Sequence, residues 1–147
     1  MSTSTAAPSA PSRSGLAQQL IPRLVGAALA LAVAYVHVQD QDGFPGSKEP
    51  RYVGLGYYQL ELAGLLVALG LLIGLGQHTR KVWLLAVGVA VGPIVGFVLS
   101  RGPGLPNYND DKGNWTEPLG IKSLVIEGLL LVLAVGVLLR SRRAART

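Results

Sequence analysis

The sequence predicts an all-α fold: a four-transmembrane-helix up-down bundle with both termini cytoplasmic and ordered outer loops. Three observations carry this. Half of the 147 residues are hydrophobic and only 14% are charged, against about 25% charged in an ordinary soluble domain, and the mean hydropathy is +0.42. The apolar residues gather into four runs, each near the roughly 20 residues that a helix needs to cross a bilayer core. The thirteen Lys and Arg residues are divided unevenly between the segments that join those runs. Cysteine is absent, which excludes a disulfide framework, thiolate metal sites and cysteine nucleophiles.

Residues 1–16, rich in Ser, Thr, Ala and Pro, have no apolar periodicity and are expected to form a disordered cytoplasmic tail. The four-helix transmembrane domain covers residues 17–140. Its first span, about residues 21–38, carries Arg23 close to its start, where a long side chain reaches the headgroups. A cleavable signal peptide is the competing reading, since Arg13 and Arg23 precede an apolar stretch and Ala32-Val33-Ala34 resembles a cleavage site; a segment ending there would exceed the usual 15 to 30 residues.

The second span, about residues 53–75, contains Gln59 and Glu61, and the third, about 82–100, has no charged residue. A tight turn over residues 76–81 makes these two antiparallel neighbours. Gly88, Gly92 and Gly96 form a small-residue row expected to pack on Gly70 and Gly74 of the second span. Pro93 removes one backbone hydrogen bond within the row and is read as a static kink. The fourth span, about 119–139, carries Lys122 and Glu127, with Pro118 suited to its first turn. Residues 141–147 form a basic cytoplasmic tail.

Orientation follows from the basic residues, which are retained on the cytoplasmic side of a span. Both termini and the second link share one side, with Arg13, Arg23, Arg80, Lys81, Arg140, Arg142, Arg143 and Arg146 and no acidic residue. The other side holds the remaining five basic residues together with all eight acidic ones. The net charge of +5 is therefore a topology signal, and nucleic acid is not an expected partner. The expected partners are the lipid bilayer and a membrane protein or a second copy of this chain, in the plasma membrane.

Carboxylates in a span are expensive and ordinarily face the bundle interior with a partner. Glu61 and Glu127 each fall about 12 Å along their spans, so they are expected to face one another, share a cation, or pair with Arg101 at the outer end of the third span. His37 and Gln59 complete the candidate ion or ligand set. Two carboxylates and an imidazole would suit a divalent ion, but the spacing runs across helices and leaves metal and cofactor unassigned. Most aromatics lie toward the outer side, and Tyr52, Tyr108 and Trp115 are candidates for recognition by an outer cap. Asp110 and Asp111 lack the spacing of a calcium loop and read as a solvated acidic turn.

Several of these residues carry a resemblance: His37, Tyr57, Leu99-Ser100-Arg101 with Gly104-Leu105-Pro106, Trp115, Pro118-Leu119-Gly120, and Ser123-Leu124-Val125 with Glu127. In them the chain resembles a group of small four-span integral membrane proteins of actinobacteria, over most of its length after about residue 20. It departs at Gly102-Pro103, where that group has a Thr-Val-like pair. The resemblance implies fold and membrane location and supplies no activity, cofactor or catalytic residue. No nucleotide loop, zinc-protease helix, nucleophile elbow or haem attachment motif is present. The expected function is that of a non-enzymatic accessory or partner-binding membrane component. The alternatives are a small ion, proton or metal carrier using Glu61 and Glu127, and a redox or quinone-linked subunit.

Overall fold

A computed structural model of the chain describes residues 13–74 and 78–145. It contains four helices, α1 (Arg13–Asp40), α2 (Arg51–Ile73), α3 (Thr79–Arg101) and α4 (Pro118–Ala144). All four are long and apolar enough to cross a membrane. Their sides turned away from the bundle are as greasy as those turned in: Leu62, Leu65, Leu66, Leu69 and Leu72 of α2 and Val125, Leu129 and Val132 of α4 are exposed. A helix apolar on every side belongs in an apolar medium.

The inward faces are built from smaller residues. Ala27, Ala30 and Val33 of α1 meet Val67, Ala68 and Leu71 of α2, Trp83, Ala86 and Ala90 of α3, and Leu130 and Ala134 of α4. Small side chains let backbones approach closely where lipid supplies no hydrophobic drive to association. Gly64 shows how close: a Cβ there would lie 2.9 Å from the Ala30 carbonyl oxygen. At Gly26 it would lie 2.7 Å from the Trp83 ring.

α1 touches all three other helices, and α3 touches α2 and α4, but no Cα of α2 comes within 8 Å of one in α4. The four helices thus form a rhombus with α1 and α3 across its short diagonal, and α2 and α4 are held apart. The two long links lie at one end of this bundle, where the Tyr52 hydroxyl in the first turn of α2 donates to the Pro106 carbonyl of the second link at 2.7 Å. That end is called the linker end below.

Helix boundaries run beyond the apolar spans. α1 begins at Arg13, inside the segment that composition assigns to the tail, and α4 continues to Ala144, inside the basic tail. α3 begins at Thr79, so Arg80 and Lys81 belong to its first turn and not to a turn between helices. The reason is general: hydropathy marks where hydrocarbon ends, whereas backbone hydrogen bonding continues into the polar zone. Residues 1–12, 75–77 and 146–147 lie outside the described residues, and with them most of the expected N-terminal tail. Pro118 does open α4, as its sequence position predicts, with Glu117 as N-cap.

Candidate functional site

Separating α2 from α4 leaves a cleft of about 430 Å³ lined by residues of all four helices and of the second long link, within the 300–1,000 Å³ of small-molecule sites. Its floor is the row Gly88, Gly92 and Gly96 with Leu60, Ala63, Leu85, Val89 and Pro93. This corrects the expectation that the glycine row packs on α2. A Cβ at any of the three would meet nothing within 4 Å, because the row faces the gap that the rhombus creates. Among the described residues, the glycines that pack between helices include Gly26, Gly64 and Gly120.

The roof is organised by Arg101, the last residue of α3. Its Nη1 donates to Ser100 Oγ at 3.0 Å and to Asp111 Oδ2 at 3.2 Å, and its Nη2 donates to Glu117 Oε2 at 2.8 Å. The guanidinium lies 4.3 Å from the Phe97 ring centre. Glu117 Oε2 also accepts from Gly120 N at 3.1 Å, so one carboxylate caps α4 and ties it to α3. Gly120 permits this approach, since a Cβ there would lie 2.7 Å from Phe97 and 3.2 Å from Arg101 Nη2. Arg101 therefore pairs with Asp111 and Glu117, and not with Glu61 or Glu127 as the sequence leads one to expect. Both true partners lie in the link that Arg101 itself opens, so the pairing closes a short loop.

Asp111 is also no solvated turn residue. Its Oδ2 accepts from the Tyr108 hydroxyl at 2.7 Å, and burial with this bond pushes the Tyr108 phenol above its ordinary value. Tyr108 is buried at 6% exposure, which removes it from the surface recognition set. Tyr52 and Trp115 stay exposed, but the hydroxyl of Tyr52 is used on Pro106 and the Trp115 ring meets Phe97 edge to face at 6.0 Å.

Glu61 and Glu127 are both buried, at 5% and 1% exposure, and the structure does not pair them. Glu61 Oε1 accepts from Gln41 Nε2 at 2.6 Å, and Glu61 does not line the cleft, although its neighbours Gln59 and Leu60 do. Glu127 lines the cleft. Its Oε1 accepts from Ser123 Oγ, one helical turn earlier, at 2.5 Å. Among the described residues Glu127 meets no cation and its Oε2 has no hydrogen-bond partner. Gln41 was not legible as a partner because it stands in the link beyond α1, where hydropathy carries no signal.

His37 lines the cleft wall. Its Nδ1–H donates to the Val33 carbonyl at 2.9 Å, and its ring meets that of Tyr57 at 5.1 Å. The Tyr57 hydroxyl donates to Asp40, which is also bridged by Lys48 at 3.3 Å. His37 is thus built into an interhelical polar group at the linker end. Among the described residues no three His, Cys, Asp or Glu side chains converge as a metal site would require. In comparisons with known proteins, the chain matches no family model, no curated protein and no solved structure.

Proposed function

We propose that this chain is a multi-pass plasma-membrane protein, an up-down four-helix bundle with cytoplasmic termini, whose role is to hold a membrane-soluble small molecule in the cleft between α2, α3 and α4. The partner-binding role expected from the sequence thereby narrows from a surface cap to a groove in the side of the bundle. The observation that carries it is the 430 Å³ cleft with a glycine floor and a polar roof. Close-packed bundles leave few voids larger than a water molecule, and a floor of three glycines forgoes the packing that any larger residue would supply. An amphipathic occupant fits such a site, its apolar body on the floor and its polar end toward the roof.

The orientation rests on the eight basic residues around the termini and second link and the eight acidic residues on the other side. It places the linker end outside. A carrier built on a Glu61–Glu127 pair draws no support, since the two carboxylates have separate partners and only one is on the cleft.

The test is native mass spectrometry of the protein released from lipid nanodiscs. Wild type is expected to retain a small-molecule adduct that Gly92→Leu, which fills the floor, does not. Identical spectra for the two proteins would sink the proposal.

A further inference from the structure

Charge decides what kind of molecule the cleft takes. Among the described residues four carboxylates line it, those of Asp40, Asp111, Glu117 and Glu127, against the guanidinium of Arg101 and the imidazole of His37, whose Nδ1–H is spent on the Val33 carbonyl. Asp40 is answered from outside the lining by Lys48, and Arg101 is shared between Asp111 and Glu117. Glu127 is left with one serine hydroxyl. A buried carboxylate without a cation carries a desolvation cost that a bound cation offsets.

Glu127 stands nine residues beyond Pro118 on α4, and Gly92 nine residues before Arg101 on α3, so the carboxyl and the middle of the glycine row both lie about 13 Å along their helices from the linker end. Deeper by about one turn, Pro93 has no N–H to give the Val89 carbonyl, and Val89 lines the cleft. A carboxyl with a single hydrogen-bond donor, facing the glycine row, makes the level of Glu127 a place for positive charge. The surroundings are apolar: Leu60, Ala63 and Leu85 with the glycine row. Higher up, the lining rings of Tyr57 and Phe97 already sit beside protein cations, Lys48 at 5.7 Å and Arg101 at 4.3 Å, as aromatic faces favour.

We infer that the occupant of the cleft is a lipophilic organic monocation, with Glu127 as its counter-ion and the α3 glycine row as the seat of its apolar body. This rests on the cleft-binding role proposed above and adds the charge of the ligand and the residue that reads it. Glu61, sealed behind Gln41, takes no part.

The test compares two ions of nearly equal size and shape and opposite charge, tetraphenylphosphonium and tetraphenylborate, by equilibrium dialysis against the full chain in nanodiscs of zwitterionic lipid, with protein-free discs as blank. The cation is expected to bind saturably, one per chain, and the anion not above the blank. Glu127→Gln is expected to weaken the cation at least tenfold, Glu127→Asp to preserve the preference for the cation, and Glu61→Gln to leave binding unchanged. Equal retention of both ions, or cation binding unaltered in Glu127→Gln, overturns the inference. If wild type carries an adduct that Gly92→Leu loses and that tetraphenylphosphonium fails to displace, the occupant is neutral: the inference falls and the cleft-binding role stands. If Gly92→Leu leaves both adduct and cation binding intact, the cleft-binding role itself falls.

Discussion

The seam between α1 and α2 and the opening between α2, α3 and α4 use the same materials to opposite ends. Each has glycine on a helix face and a glutamate about a third of the way along a span. In the α1–α2 seam, Gly64 brings the backbones together until a Cβ would strike the Ala30 carbonyl oxygen, and Glu61 is matched to a buried amide. Across the opening, a Cβ at Gly88, Gly92 or Gly96 would meet nothing within 4 Å, and Glu127, beside the cleft, keeps an oxygen without a partner among the described residues. A small residue in a membrane helix either permits contact or leaves room, and the geometry of the neighbours decides which.

The largest way to disturb this contrast is at the roof of the open side. Arg101→Ala leaves Asp111 and Glu117 without their shared cation; the two acids keep 24% and 28% of their side chains exposed, so the cost falls toward the lower end of the about 3–5 kcal/mol of a buried ion pair. Unfolding in mixed micelles should register it, with the second link released from the ends of α3 and α4. A change under 1 kcal/mol would mean that the link is held by its turns alone.

Gln41→Ala probes the closed side by stripping Glu61 of its donor. A buried acceptor left without its donor costs about 1–3 kcal/mol, and the same assay should show that loss. The matching comparison is at Ser123: Ser123→Ala removes the bond to Glu127, and because Glu127 still reaches the cleft its expected cost is lower, about 1 kcal/mol. Equal losses at the two sites would erase the distinction between a sealed and an accessible carboxylate.

Glycine substitutions sharpen the comparison through opposite signs. Gly64→Ala overpacks the seam and should destabilise by about 1–3 kcal/mol. Gly92→Ala has open space before it and a better helix former in place, so stability should stay level or rise by up to about 1 kcal/mol. Thermal unfolding of the two variants side by side checks this, and destabilisation by both would mean that α3 packs against something at Gly92.

The fold was legible because four uninterrupted apolar runs leave few other arrangements, and the described helices contain every predicted span apart from residues 74 and 75 at the end of the second. Gly74 is the left-handed C-cap there, with φ of 64°. The site was legible only in its parts. Glu127, His37, Gln59 and Arg101 all line the cleft, and each attracted notice because polar groups in spans are rare. Their pairings were not legible, because a partner across helices leaves no spacing in the sequence. The Glu117 cap had a usable signal, an acidic residue immediately before a proline that opens a helix. The open glycine row had none, since its spacing is the same as that of a packed one.

Accessibility along α3 tests the existence of the opening most directly. The chain contains no cysteine, so a single introduced thiol reports its own site. Gly92→Cys on the cleft floor and Ala90→Cys in the core, where Ala90 is 0% exposed, lie two residues apart on one helix. With a membrane-permeant maleimide in nanodiscs, Gly92→Cys should label readily and be protected by tetraphenylphosphonium, while Ala90→Cys stays unlabelled in the folded protein. Equal labelling of the two positions, or none at Gly92→Cys, would contradict an open cleft between α2, α3 and α4.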